Sequence, residues 1–288
     1  MKHSKKVVGI MLAIFLLAQF IGLGIIYYDH VNLQESSASN LVFLEPEVEA
    51  PVEGINVSFF FITLILIGTG IALLIIKFNL NWIWRIWFLL AVLGALTFAF
   101  APFVGEGIAF LIALVFAIWK VFRDNFWVHT GTELFIYGGI ATLVFPWFNL
   151  ESVSILLILI AIYDAYAVWK SKHMITLAKS QSKAKVFAGL LVPYSLKKKK
   201  KGKRKGPPVK VRVAMLGGGD IAFPLIFAGV VMKDVGLWQS LLIPLFAMGG
   251  LAYLLWYGNE KKFYPAMPFI GVGCFVGLGV VWVIQMLI

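Results

Sequence analysis

The chain has 288 residues, of which 61% are hydrophobic and 14% charged, with a mean hydropathy of +0.91 and a formal net charge of +11. That composition excludes an ordinary water-soluble domain, whose surface needs far more charge, and makes lipid the solvent for most of the chain. A single cysteine, Cys274, excludes an internal disulfide framework and a thiolate metal cluster.

Crossing about 30 Å of hydrocarbon takes roughly 20 apolar residues per helix. Breaks at charged or Pro/Gly-rich stretches predict nine such helices, at 7–28, 56–76, 84–104, 106–122, 131–148, 152–169, 213–232, 236–257 and 265–286. Lys2, Lys5 and Lys6 precede the first run, as in a signal peptide. Its 22 residues exceed a usual signal core and no clear cleavage site closes it, so it reads as a helix. The third and fourth runs separate only if Ala101-Pro102-Phe103-Val104-Gly105-Glu106-Gly107 makes a tight turn; merged, they would leave eight helices. The expected fold is an all-α polytopic membrane protein in one domain over 1–288. Helices one to five fill 1–150, the sixth 151–170, a basic loop 171–212, and helices seven to nine 213–288.

Lys and Arg resist translocation, so their distribution sets orientation. With a cytoplasmic N-terminus and an external C-terminus, 24 of the 25 basic residues fall inside, fifteen of them between Lys170 and Arg212, and only Lys233 falls outside. Asp29, Glu35, Glu45, Glu47, Glu49 and Glu53 gather in the first outside loop. The run Lys197 to Lys201 with Lys203, Arg204 and Lys205 has no interleaved aromatics and joins two spans. It reads as a topology anchor near anionic headgroups, with no nucleic-acid role. The localisation expected is the cell membrane, multi-pass.

An ionisable residue at a helix centre costs roughly 2.5 to 3.5 kcal/mol on insertion scales, so its presence points to function. Two acids meet this description, Asp164 in "LIAIYDAYAVWK" and Asp220 in "LGGGDIAFP". At 1.5 Å per residue from Lys170 and Arg212 they lie about 9 and about 12 Å in from the same face, on consecutive helices running in opposite directions. Two carboxyls that meet out of water cannot both ionise cheaply, so such a pair shares a proton. One member can then activate water while the other polarises a peptide carbonyl, the chemistry of an aspartic protease, with no metal and no cofactor.

Gly217, Gly218 and Gly219 let backbone loosen or another chain approach beside Asp220. Read blandly, they are a small-residue packing face. A similar string near the first helix, Gly22 and Gly24 with Tyr28 and Asp29, falls at the opposite boundary and reads as interfacial. Pro265 and Pro268 open the ninth helix at about the depth of the aspartates, and on their own mark a helix start.

Taken together, these segments resemble the presenilin and signal peptide peptidase family of intramembrane aspartyl proteases. The resemblance rests on Tyr163-Asp164, on Gly217-Gly218-Gly219-Asp220 in the form Gly-x-Gly-Asp, and on Pro265-Ala266-Met267, in that order, on the sixth, seventh and ninth helices. It implies that Asp164 and Asp220 are the catalytic dyad and that Tyr163, the three glycines, Pro265, Ala266, Met267 and Pro268 shape the substrate site. The family's third motif is Pro-Ala-Leu, and Met267 replaces the leucine at similar volume. The short connection between helices six and seven implies a prokaryotic, archaeal homologue acting as one uncut chain. Orientation resembles the presenilin branch, although Ile221 to Pro224 resembles the peptidase branch. Substrates implied are single-span membrane proteins whose helix runs from outside to inside, bound by strand addition near the cytoplasmic ends of helices six and seven.

Two other readings compete. A prepilin-peptidase-like protease also carries Gly-x-Gly-Asp but cuts at the membrane surface, whereas these acids lie deep. A cation or proton transporter or channel also uses buried acids, though no internal repeat supports one. His3, His30, His129 and His173 are scattered, with no His-Glu-x-x-His pair and no Gly-x-Ser site, which disfavours metallo- and serine proteases. Glu133, with Arg123 and Asp124 nearby, reads as cytoplasmic interfacial charge. The oligomeric state is not encoded in any of these signals.

Overall fold

The structure, a computed structural model, describes residues 5–38, 52, 54–78, 80–123, 125–171, 187–193, 213–258 and 264–287. Most of the basic loop 171–212, including Lys197 to Lys205, and the acidic residues Glu45, Glu47, Glu49 and Glu53 lie outside the described residues. So do Lys2, His3, Asp124, His173, Lys261 and Lys262.

Among the described residues, ten α-helices and two strands follow in chain order: α1 Lys5–Ala38, α2 Asn56–Lys77, α3 Asn81–Val104, α4 Glu106–Phe122, α5 Phe126–Val144, α6 Leu150–Trp169, β1 Gly189–Pro193, β2 Val213–Gly217, α7 Gly219–Asp234, α8 Leu237–Ser240, α9 Leu242–Tyr257 and α10 Met267–Leu287. Six of them, α1, α2, α3, α6, α10 and the α8–α9 stretch Leu237–Tyr257, are long and apolar enough to cross a membrane by length and composition. The other three fall short for different reasons. α4 has 17 residues and α7 has 16, while α5 carries His129, Thr130, Thr132 and Glu133 in its first half. Large side chains on the outer faces, such as Leu64, Ile67 and Leu74 of α2 and Leu111 and Val115 of α4, stay exposed, as suits helices facing acyl chains.

Local chemistry explains the boundaries. α3 and α4 are separate and fold back on each other across one residue, Gly105, at φ 78° and ψ 157°, a conformation that favours glycine. α5 starts five residues earlier than the spacing predicts, because the Asn125 side chain caps it by accepting from Trp127 N–H at 3.0 Å. It ends in a 3-10 turn at Phe145–Trp147, where Pro146 breaks the α ladder. Asn149 and Ser152 then form a capping box that starts α6. α1 continues ten residues beyond its expected end, since no Pro or Gly interrupts 25–38.

The expectation of a wholly helical chain gives way at two strands. The seventh span does not begin as a helix at 213: Val213–Gly217 is β2, paired antiparallel with β1 in the register Gly189↔Gly217, Leu191↔Met215, Pro193↔Val213. Three consecutive glycines make helix initiation costly there, and the extended backbone finds its partners in β1 instead. The ninth helix likewise starts at Met267, two residues late, with Pro265 and Ala266 leading into it.

α7 is the hub. Eleven of its residues are buried, and α1, α5, α6, α9 and α10 all pack on it. Apolar burial gives helices no advantage over lipid, so small residues set these crossings. Gly22 of α1 faces Leu225 of α7 and Gly138 of α5, which gives this one glycine of the first helix's string a packing role. Gly139 of α5 lies against the Ala95 carbonyl of α3, and Gly273 of α10 against the Phe246 carbonyl of α9. Gly139→Val should therefore cost about 1–3 kcal/mol and lower Tm in detergent by several degrees. Gly94→Ala on α3, where a Cβ meets nothing within 4 Å, should leave Tm unchanged or raise it.

Candidate active site

Asp164 lies on α6, three residues before the buried Ala167, and is itself 8% exposed. Its Oδ2 accepts the Met267 N–H at 3.1 Å, and the Ala266 N–H also donates to it. These are orphan donors at the start of α10, where no preceding turn supplies carbonyls. Pro265 has no N–H to offer, and its ring fixes the approach into the turn. The Pro-Ala-Met sequence thus presents two adjacent backbone donors, at the positive end of a helix, to an acid on a neighbouring helix.

Asp220 sits in the first turn of α7 and is half-buried. Its carboxylate folds back to accept from the Gly217 N–H, and a Cβ on Gly217 would lie 3.3 Å from Oδ2. The carboxyl is within electrostatic range of Asp164, so the two acids form one charged unit where α6, α7 and α10 meet. Gly218 N–H donates to the Ala188 carbonyl at 3.2 Å, which extends the β1–β2 pairing to the edge of α7. Gly219 is exposed, with Phe223 3.4 Å from where its Cβ would be.

The remaining expected site residues divide. Pro265, Ala266 and Met267 are buried, and Pro268 is half-buried within the first turn of α10. Tyr163 turns toward α2, where its hydroxyl donates to Thr69 Oγ1 at 3.1 Å, while Asp164 beside it faces α10. On its geometry, Tyr163 braces α6 against α2.

Two groups escaped the sequence reading. Gln19 of α1, fully buried, donates through Nε2 to the Ile221 carbonyl at 2.8 Å, one residue past Asp220. Glu133 is not interfacial charge: it is 1% exposed and pairs with Lys120 at 2.7 Å instead of lying beside Arg123. The signal was present as polar or ionisable residues inside apolar runs.

Comparison with known proteins places this arrangement. Residues 12–287 match the family described as signal-peptide peptidase, presenilin aspartyl protease. The chain belongs to that family. It is an intramembrane aspartyl protease and a multi-pass integral membrane protein. Two solved structures of a presenilin family intramembrane aspartate protease, in C222 and P2 space groups, resemble the protease at 18% identity. The first aligns with a TM-score of 0.65 over 96% of this chain and 99% of that one, the second with 0.62 over 95% and 96%. At this identity the likeness speaks for the fold. No curated protein matches the chain.

The donors to Asp164 come from backbone, so the Met267 side chain contributes packing alone. Met267→Leu should keep cleavage of a membrane peptide within about twofold of wild type. Met267→Pro removes one donor at a helix position that tolerates proline, and should lower cleavage more than about tenfold while far-ultraviolet circular dichroism is unchanged.

Proposed function

We propose that Asp164 and Asp220 are the catalytic dyad and that the protease hydrolyses peptide bonds within single-span helical substrates. The observation that carries this reading is the pairing of two acids from α6 and α7 across one helix junction, with a backbone donor from each adjoining motif on its own carboxyl. Between them the carboxyls hold one proton. The ionised member takes a proton from a water molecule, whose oxygen attacks the carbonyl carbon. The protonated member gives its proton to the carbonyl oxygen, and a geminal diol results. As the C–N bond breaks, a proton passes to the departing nitrogen, leaving a new carboxyl and a new amine and restoring the one-proton dyad.

A substrate helix must first expose its backbone, because its amides are bonded internally. β2 supports strand addition as the means. β1 is covered by α1 and α5, while β2 runs directly into Gly218 and Asp220, so an added strand on the β2 side would bring its scissile bond to the dyad. Met215 of β2 is 44% exposed beside that path.

The chain acts as one uncut domain, 1–288, with nine spans, a cytoplasmic N-terminus and an external C-terminus. In favour stand the basic residues, 24 of 25 on the inner side in this arrangement. α7 is short at 16 residues, but it is enclosed by protein and need not match the hydrocarbon thickness. On this reading 171–212 is a cytoplasmic loop against anionic headgroups, the membrane is the cell membrane, and substrates run from outside to inside.

Reconstitution with a single-span peptide tests the dyad. Asp164→Ala and Asp220→Ala should each reduce cleavage by at least about 10³-fold, and an aspartic-protease transition-state analogue should inhibit wild type. Wild-type cleavage by either variant refutes the dyad, and ion flux in proteoliposomes without cleavage would favour a transporter. An accessibility tag between Lys197 and Lys205 should label only from the cytoplasmic side.

A further inference from the structure

α5 carries a buried polar cluster that the hydrolytic chemistry does not use. Lys120 of α4 is 7% exposed, Thr132 5%, Glu133 1% and Tyr137 2%. Burying charges in an apolar bundle is costly unless each finds partners, and here each does. Lys120 Nζ donates to Glu133 Oε1 at 2.7 Å, to Thr132 Oγ1 at 3.0 Å and to the His129 carbonyl at 3.4 Å. The Tyr137 hydroxyl donates to Glu133 Oε2. Both carboxylate oxygens are thus occupied, and the Tyr137 ring cannot swing without breaking a buried charge-assisted bond.

The cluster ends on the two backbone segments that precede Asp220. The Tyr137 ring lies where a side chain on Gly218 would go: a Cβ there would be 3.0 Å from Tyr137 Cε1 and 3.2 Å from its oxygen. Two turns earlier, His129 Nε2 is 3.0 Å from the Gly189 carbonyl, an interaction in which the imidazole N–H donates. Gly189 is the register partner of Gly217. α5 therefore contacts β1 and the Gly218 segment that follows β2, both at the dyad end. A cavity of about 420 Å3 lies alongside this corner, lined by Val92, Ile136, Tyr137, Gly218, Gly219 and Ala222.

We infer that Tyr137, locked by Glu133 and Lys120, is a positioning residue that holds the Gly217–Gly219 segment and through it the Asp220 carboxyl. The inference rests on Asp220 being catalytic. A glycine run beside a void has little stiffness of its own, and misplacement of a reacting group by about 1 Å costs up to about 10²-fold in rate. Removing the hydroxyl frees the ring and, with it, the register of the acid. Substrate contacts at β2 stay as they are.

The test uses the full chain in proteoliposomes with a single-span peptide, rates being expressed per active site titrated with the transition-state analogue. Tyr137→Phe should lower kcat about tenfold and leave KM within about twofold. Gly218→Ala should lower kcat likewise, and the double variant should fall less than the product of the two losses, since both act through one contact. A wild-type kcat per titrated site in Tyr137→Phe overturns the proposal, including the case where only the yield of folded enzyme drops. So does a loss confined to KM, or full multiplicativity in the double variant. Asp220→Ala is assayed in parallel: if it cleaves, the dyad itself is wrong, whereas an inactive Asp220→Ala beside a normal Tyr137→Phe refutes only the positioning role.

Discussion

A carboxylate kept inside a bilayer needs donors, and the bond from the start of α10 to Asp164 is the contact around which this protein is arranged. Side-chain donors there would bring their own burial cost. Backbone N–H groups at a helix start carry no such penalty, because they are unpaired wherever a helix begins. The contact ties α6 to α10 across 103 residues of sequence, and α7 completes the junction with Asp220. Without it, Asp164 would lose one of its two backbone donors and the α6–α10 crossing would lose a buried polar link.

The two acids stand in different local settings, and that difference follows from local sequence. Asp164 is mid-helix, with a regular ladder on either side and Tyr163 fastened to α2. Asp220 stands at a strand-to-helix change, preceded by three glycines and flanked by a cavity. The far end of α7 is anchored separately, where Asp234 accepts the Leu150 N–H at 3.0 Å and Lys233 donates to the Phe148 carbonyl.

Sequence alone determined the solvent, the helix order, the two acids and the three motifs, because each depends on short-range properties. Hydropathy over about 20 residues, the cost of a charge in hydrocarbon, and the absence of an N–H on proline do not wait on folding. The turn at Gly105 and the pairing of α6 with α7 were legible for the same reason. Tertiary structure alone decided what those residues touch. Val213–Gly217 reads as helix by hydropathy yet is a strand, since the partner that satisfies its backbone, Gly189–Pro193, is distant in sequence. Glu133 and Lys120 look like boundary charges until α4 and α5 are packed together, and Tyr137 looks like any aromatic until Gly218 is set against it. Hydrogen-bond partners and steric neighbours are properties of pairs distant in sequence, and only the folded chain brings them within 3 Å.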